Sequence, residues 1–388
     1  MKKYLALILA MTMLLGILAG CSTSKPAETT ETAPAATEEK APETTAPAAS
    51  EEKTEQPAQT TDTAPETATV SIGFASAYES ILYGYIAVAD YMGYFKDEGL
   101  SFTCEQSYSS SATTMVAENQ VTLSLPGPHL TSSAIDSGMD IISVFQAYPV
   151  DIFGVAVKAD SKYQTWADLE GANFATMSAT TANQLNPILA AAGVDLSSVT
   201  LTPVTDSRIQ QLVAGTVDAC WTWDGEWQQW VAEGYDIRFL SGEEVYKSAS
   251  NSFIASNSFI AQNPNTLKAM LRAITKGMYF CYCNPKAAAD IILTQWTSLT
   301  VDLDTATELV QNILIPAMGG ESVMSGTSIG EHAADRWATL MADYVKYDIV
   351  SEDIPLEKCF TNDYIAAAND WDRAEVEADA SGYTTFAH

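Results

Sequence analysis

Hydrophobic positions change their spacing in step with the glycines and prolines of the chain, and this alternation predicts interleaved strands and helices. Thr69 to Phe74 reads as a first strand; Ile81, Tyr85, Val88 and Met92 then recur at helical spacing until Gly93. Phe102 to Glu105 and Val121 to Leu125 read as the next strands, with a short helix over Thr113 to Asn119 between them. Pro126-Gly127-Pro128 breaks the third strand, His129 to Ser137 reads as a helix, and Ile141 to Phe145 and Phe153 to Val157 read as further strands. A second unit is expected from about Ser161, with strands at Asn173 to Met177, Val199 to Pro203, Val217 to Trp223 and Ile237 to Leu240. Its helices are expected at Thr180 to Ala192 and Ser207 to Ala214. Strand character returns from Ser252 to Ala261, and beyond Asn263-Pro264 the pattern is helical, notably over Thr266 to Cys281 and Ala287 to Thr297. Strands alternating with helices predict an α/β fold of parallel sheets with helices on their faces.

The first part of the chain departs from this pattern. Lys2 and Lys3, the apolar run Tyr4 to Ile17 and the small-residue stretch Leu18-Ala19-Gly20 before Cys21 read as a lipoprotein export signal over residues 1–21, with Cys21 carrying the lipid. Residues 22–69 are mostly Ala, Thr, Pro, Glu and Ser, with no aromatic residue among them. Such a segment buries too little apolar surface to offset the entropy of ordering it, so a disordered tether is expected. The folded part is therefore expected at the extracytoplasmic face of the cell membrane, lipid-anchored, and no second apolar run is long enough to span a bilayer.

Charge removes two classes of partner. The leader contributes +2 and the tether −7, which leaves −25 of the net −30 on the folded part. Nucleic acid is excluded as a partner, because binding it relies on Lys and Arg against phosphate, and a basic face for anionic lipid is absent as well. Five cysteines remain beyond Cys21, an odd set that cannot all pair within one molecule. Cys281 and Cys283 lie two apart, off a common helix face, and no histidine lies near them. They read as core thiols rather than metal ligands, and no metal or other cofactor is expected.

The segments GYFKDEGL, TWADLEGANFAT, AAGVDLSSVTLTPV and LVAGTVDACWTW, in this order, make the chain resemble the solute-binding proteins of ABC importers. It resembles most their NMT1/THI5-like branch, with receptors for alkanesulfonates, nitrate, taurine and thiamine-precursor pyrimidines. The resemblance covers about Val70 to Leu293. It implies a type II periplasmic-binding-protein fold: two α/β lobes joined by two crossovers at a hinge, with a ligand cleft between them. The first lobe would comprise residues 70–159 and 256–388, and the second residues 160–255. It further implies a monomer that closes on a small-molecule solute and hands it to an ABC permease, contacted directly, and its ATPase. The same branch includes a pyrimidine-synthesising enzyme that uses histidines and a cysteine-rich motif with iron. Here only His129, His332 and His388 occur and the CYC segment departs from that motif, so no enzyme is expected. A surface sensory protein without a transporter is the other alternative.

In open α/β sheets, ligands sit beyond the carboxyl ends of the strands. That rule selects Ser76 and Tyr78 after the first strand, Pro126, Gly127 and His129 after the third, and Tyr148 after the fourth. In the second unit it selects Ser178, Thr180 and Thr181, then Trp221, Trp223, Asp224 and Glu226. The hydroxyl group at Ser178 to Thr181 suits a polar or anionic group at a helix N-terminus, or simply a cap. Trp221 and Trp223 alternate along a strand and share a face, either as a stacking platform or as core; Trp227 and Trp230 read as core. Aromatic walls beside carboxylates suit a flat nitrogenous ring or a cation. No arginine falls among these positions: Arg208 is expected in an exposed helix and Arg238 on a distal strand. The expected solute is therefore a nitrogenous aromatic, such as a pyrimidine, or a cationic amine, with an oxyanion (alkanesulfonate, taurine, nitrate) as the alternative.

Overall fold

The run TVSIGF, rich in β-branched and apolar residues, forms strand β1 (Thr69–Phe74) where its pattern predicts it. The computed structural model describes residues 64–75, 78–107, 111–177, 181–204 and 207–388, so the expected export signal, Cys21 and most of the expected tether lie outside the described residues. Nine strands follow: β2 (Ser101–Gln106), β3 (Leu123–Ser124), β4 (Ile141–Phe145), β5 (Phe153–Lys158), β6 (Asn173–Thr176), β7 (Thr200–Pro203), β8 (Ala219–Trp223), β9 (Ile237–Ser241) and β10 (Phe253–Ser256). The third strand is shorter than its apolar run: it begins two residues later, and at its end Pro126 and Pro128 cannot continue a ladder. The last ends earlier than its β-like run, since the Ser256 hydroxyl accepts from Phe259 N (3.1 Å) and caps the helix Asn257–Gln262.

Two five-stranded sheets result, in the orders β2-β1-β3-β10-β4 and β7-β6-β8-β5-β9. They are mixed rather than parallel. In the first, β1 runs parallel to β2 and β3 while β10 is antiparallel to β3 and β4. In the second, β6 is parallel to β7 and β8 while β5 is antiparallel to β8 and β9. The reversed strands are those that begin just after the chain passes from one sheet to the other. β5 starts with Phe153 beside Trp223, the end of β8, and β10 starts with Phe253 beside Phe145, the end of β4. Each enters its sheet from the side on which the other strands leave it.

Helices cover the sheets. Gly84–Tyr91 packs on the 20-residue helix Pro264–Cys283, and a Cβ at Gly277 would lie 2.3 Å from the Tyr85 carbonyl oxygen, so the approach requires glycine. Cys281 is fully buried on that helix, while Cys283 is half-buried. Behind the second sheet, Trp166 donates its indole N–H to Ser241 O (2.8 Å) within a separate apolar core. No helix among the described residues is long and apolar enough to cross a membrane.

One side chain ties the two passages between the sheets. The Gln146 amide nitrogen, just after β4, hydrogen-bonds the carbonyls of Tyr148 (3.0 Å), Ser250 (2.9 Å) and Asn251 (3.1 Å), and its oxygen accepts from the Trp337 indole (2.9 Å). Tyr148 lies on the outgoing passage, Ser250 and Asn251 on the returning one.

Candidate functional site

The carboxyl ends of β1, β3, β6 and β8 meet the amino end of β5 around a cleft of about 490 Å³. Strand ends bring Phe74, Phe153 and Trp223 to its wall, and the short 3-10 turn Ile81–Tyr83 adds Leu82 and Tyr83. The turn is held by Ser80, whose hydroxyl accepts from Leu82 N, and by the buried Tyr148, whose hydroxyl donates to Leu82 O at 2.6 Å. The Ser124 hydroxyl, also at the cleft, is engaged with Gly73 O (2.5 Å).

Two helices open at the cleft. Pro128–Asp136 starts behind Gly127 and carries His129 in its first turn; Thr181–Ala191 carries Gln184 in its first turn. Gln184 donates a hydrogen bond to His129 Nδ1, joining the two helices across the space. Burial pulls His129 down to about 4, so its imidazole is neutral at physiological pH. No Lys, Arg, Asp or Glu occurs among the described lining residues; the polar groups there are neutral donors and acceptors on a mostly apolar surface.

The residues predicted from the sequence separate into those at the cleft and those behind it. Pro126, Gly127, His129 and Trp223 line it. Tyr78 stands behind the wall, its ring 5.1 Å from that of Phe74, and Tyr148 is buried beneath Leu82. Trp221 is not half of a platform: it is 1% exposed and stacks on Phe153 at 5.7 Å with an interplanar angle of 4°. Two residues of strand, about 6.6 Å, are enough to carry a side chain from the end of the sheet into its interior.

Glu226 is likewise engaged elsewhere. It pairs with Arg208 at 2.5 Å and accepts from the Thr222 hydroxyl at 2.6 Å. Arg208, expected on an exposed helix, is 6% exposed and also donates to Trp221 O at 2.5 Å. Asp224 does not line the cleft; its amide donates to Ile152 O (3.0 Å), and burial pushes its carboxyl up to about 7. Ser76, Ser178 and Thr180 lie outside the described residues, and of Thr181 only the backbone is described, at the start of its helix. The carboxyl-end rule missed Ile152, Phe153, Gln184 and Asn251, which also line the cleft.

Among solved structures, the periplasmic aliphatic sulphonate-binding protein SsuA of Escherichia coli matches with a TM-score of 0.61 at 15% identity, over 76% of this chain and 92% of its own. The alkanesulfonate-binding SsuA of Xanthomonas axonopodis pv. citri, bound to MOPS, matches with 0.57 at 15% identity, over 78% and 98%. The periplasmic nitrate-binding protein NrtA of Synechocystis PCC 6803 matches with 0.51 at 12% identity, over 82% and 90%. These likenesses give the fold: type II periplasmic-binding-protein architecture, with a cleft between two α/β lobes, as the resemblance implied. No curated protein sequence matches the chain. A family model described as NMT1/THI5 like matches residues 83–288, more than half of the chain, and the protein belongs to that family.

Proposed function

We propose that the protein is the solute-binding component of an ABC importer, capturing an organic oxyanion with an apolar body by closure of its lobes. The observation that carries this reading is the cleft itself. Four aromatic rings, Phe74, Tyr83, Phe153 and Trp223, face a space of about 490 Å³ onto which two helix N-termini open, with neutral hydrogen-bonding groups between them. Helix N-termini and amide donors hold an anion without a formal cation. A bare nitrate would leave the aromatic walls uncovered, whereas a sulfonate with a hydrocarbon or ring body would bury them. The SsuA and NrtA likenesses agree with an oxyanion head. This reading takes precedence over the nitrogenous solute expected from the VDACWTWDGEW segment, because Trp221 lies in the core and Glu226 is occupied by Arg208.

A nitrogenous aromatic remains the second reading, favoured by Trp223 at the wall and the adjacent Asp224. In the same proposal, Cys21 carries a lipid, residues 22–69 tether the protein outside the cell, residues 70–159 with 256–388 form one lobe, and residues 160–255 form the other. The receptor hands its solute to the permease unaltered. A thermal-shift panel of hexanesulfonate, toluenesulfonate, taurine, nitrate, choline and 4-aminopyrimidine tests the ligand class, since a bound solute raises Tm by mass action. Stabilisation by the two apolar sulfonates is expected; stabilisation by 4-aminopyrimidine or choline alone overturns the oxyanion reading.

A further inference from the structure

Asn251 sits on the returning passage between the sheets, where its backbone carbonyl is fixed by Gln146 Nε2 (3.1 Å) and Tyr148 N (3.1 Å). Its side chain is 8% exposed and lines the cleft, and its Oδ1 is buried with no hydrogen-bond partner among the described residues. A Cβ at Gly127, on the facing wall, would lie 3.6 Å from that oxygen, so it is aimed at the loop that opens the Pro128–Asp136 helix. The neighbouring hydroxyls of Ser250 and Ser252 are also unpartnered, but neither lines the cleft.

An amide oxygen left buried and unpaired loses its hydration without compensation, and buried polar groups in folded proteins are overwhelmingly paired. We infer that Asn251 Oδ1 is the acceptor for an N–H or O–H group of the bound solute, so the preferred solute is an amino- or hydroxy-substituted organic oxyanion rather than a plain one. This inference rests on the proposed receptor function and adds a requirement on the body of the solute. A site built to hydrogen-bond a substituent rejects the analogue that lacks it far more strongly than an apolar pocket rejects an added methylene.

Calorimetric titration of wild-type and Asn251→Ala protein with 4-aminobenzenesulfonate and toluenesulfonate tests it. Wild type is expected to prefer the amino compound at least tenfold, and Asn251→Ala to bind both within about threefold. Equal binding by wild type, or a preference retained in Asn251→Ala, overturns the inference while leaving an oxyanion receptor standing. If neither sulfonate binds and 4-aminopyrimidine does, the oxyanion reading fails, and the Asn251 inference is decided by 4-aminopyrimidine against pyrimidine with the same criterion. The Tm of Asn251→Ala without solute separates a structural role: a fall of many degrees would mean that the amide serves the fold, and an unchanged or raised Tm is expected.

Discussion

Tyr148 donates a 2.6 Å hydrogen bond from its hydroxyl to the Leu82 carbonyl, linking the passage between the sheets to the turn that forms one wall of the cleft. The contact is fully buried, so Tyr148→Phe leaves a carbonyl without its partner. Tyr148→Phe is expected to lower stability by about 1–3 kcal/mol in denaturant titration. It should also weaken solute binding in calorimetry without touching the solute, because Leu82 and Tyr83 lose a support. Unchanged affinity together with lowered stability would confine Tyr148 to the fold.

The two tryptophans of β8 should separate cleanly. Trp221→Ala empties a core position against Phe153 and is expected to cost about 3–5 kcal/mol of stability. Trp223→Ala, at the wall, should change stability little, abolish the fluorescence response to solute and reduce affinity tenfold or more. Equal losses of stability in both variants would contradict this division.

Buried Arg208 and partly buried Glu226 form an ion pair, and the arginine also holds the Trp221 carbonyl. Removing one partner strands the other charge, so Arg208→Met alone is expected to destabilise by about 3–5 kcal/mol. The double variant Arg208→Met with Glu226→Leu should recover part of that loss in urea unfolding. A double variant that is no better than the single one would show that the bond to Trp221 O carries the stabilisation.

Asp151 lies at the start of the second sheet, buried, with its carboxyl pushed up to about 8 by that burial and by the neighbouring carboxylates of Glu243 and Asp224, against the opposing Arg336. The unfolded chain ionises this group near 3.8, whereas the folded protein keeps the proton until about pH 8. The folded state therefore binds more protons across that window, and the contribution of Asp151 to stability falls as pH rises through it. Asp151→Asn should flatten the decline of Tm between pH 4 and 8. A wild-type Tm that rises steadily from pH 6 to 8 would be at odds with a protonated Asp151.

Much of the scaffold was legible because strand and helix periods are local. β1 and β4 fall at their predicted bounds, and the Pro126-Gly127-Pro128 break was visible in composition. Strand direction was not legible, since a run of apolar residues reads the same in either sense. The reversal of β5 and β10 follows from how the chain passes between the sheets, and it brings Ile152 and Phe153 to the cleft at an amino end that the carboxyl-end rule ignores. The partners of Arg208 and Tyr148 were invisible for a related reason. Glu226 and Leu82 meet them only through the tertiary fold, so a cation that looked exposed became core and a residue that looked like a ligand contact became its support.

Gln146 joins three carbonyls on both connecting passages through a single amide nitrogen. In the proposed receptor, swinging of one lobe against the other would have to be accommodated about that knot, as about a fulcrum rather than a flexible leash. Such a pivot would narrow the arc of opening and hold the Asn251 backbone almost still while the far rim of the mouth travels furthest. A guest released from such a mouth would leave by the rim, keeping its hold near the fulcrum until last.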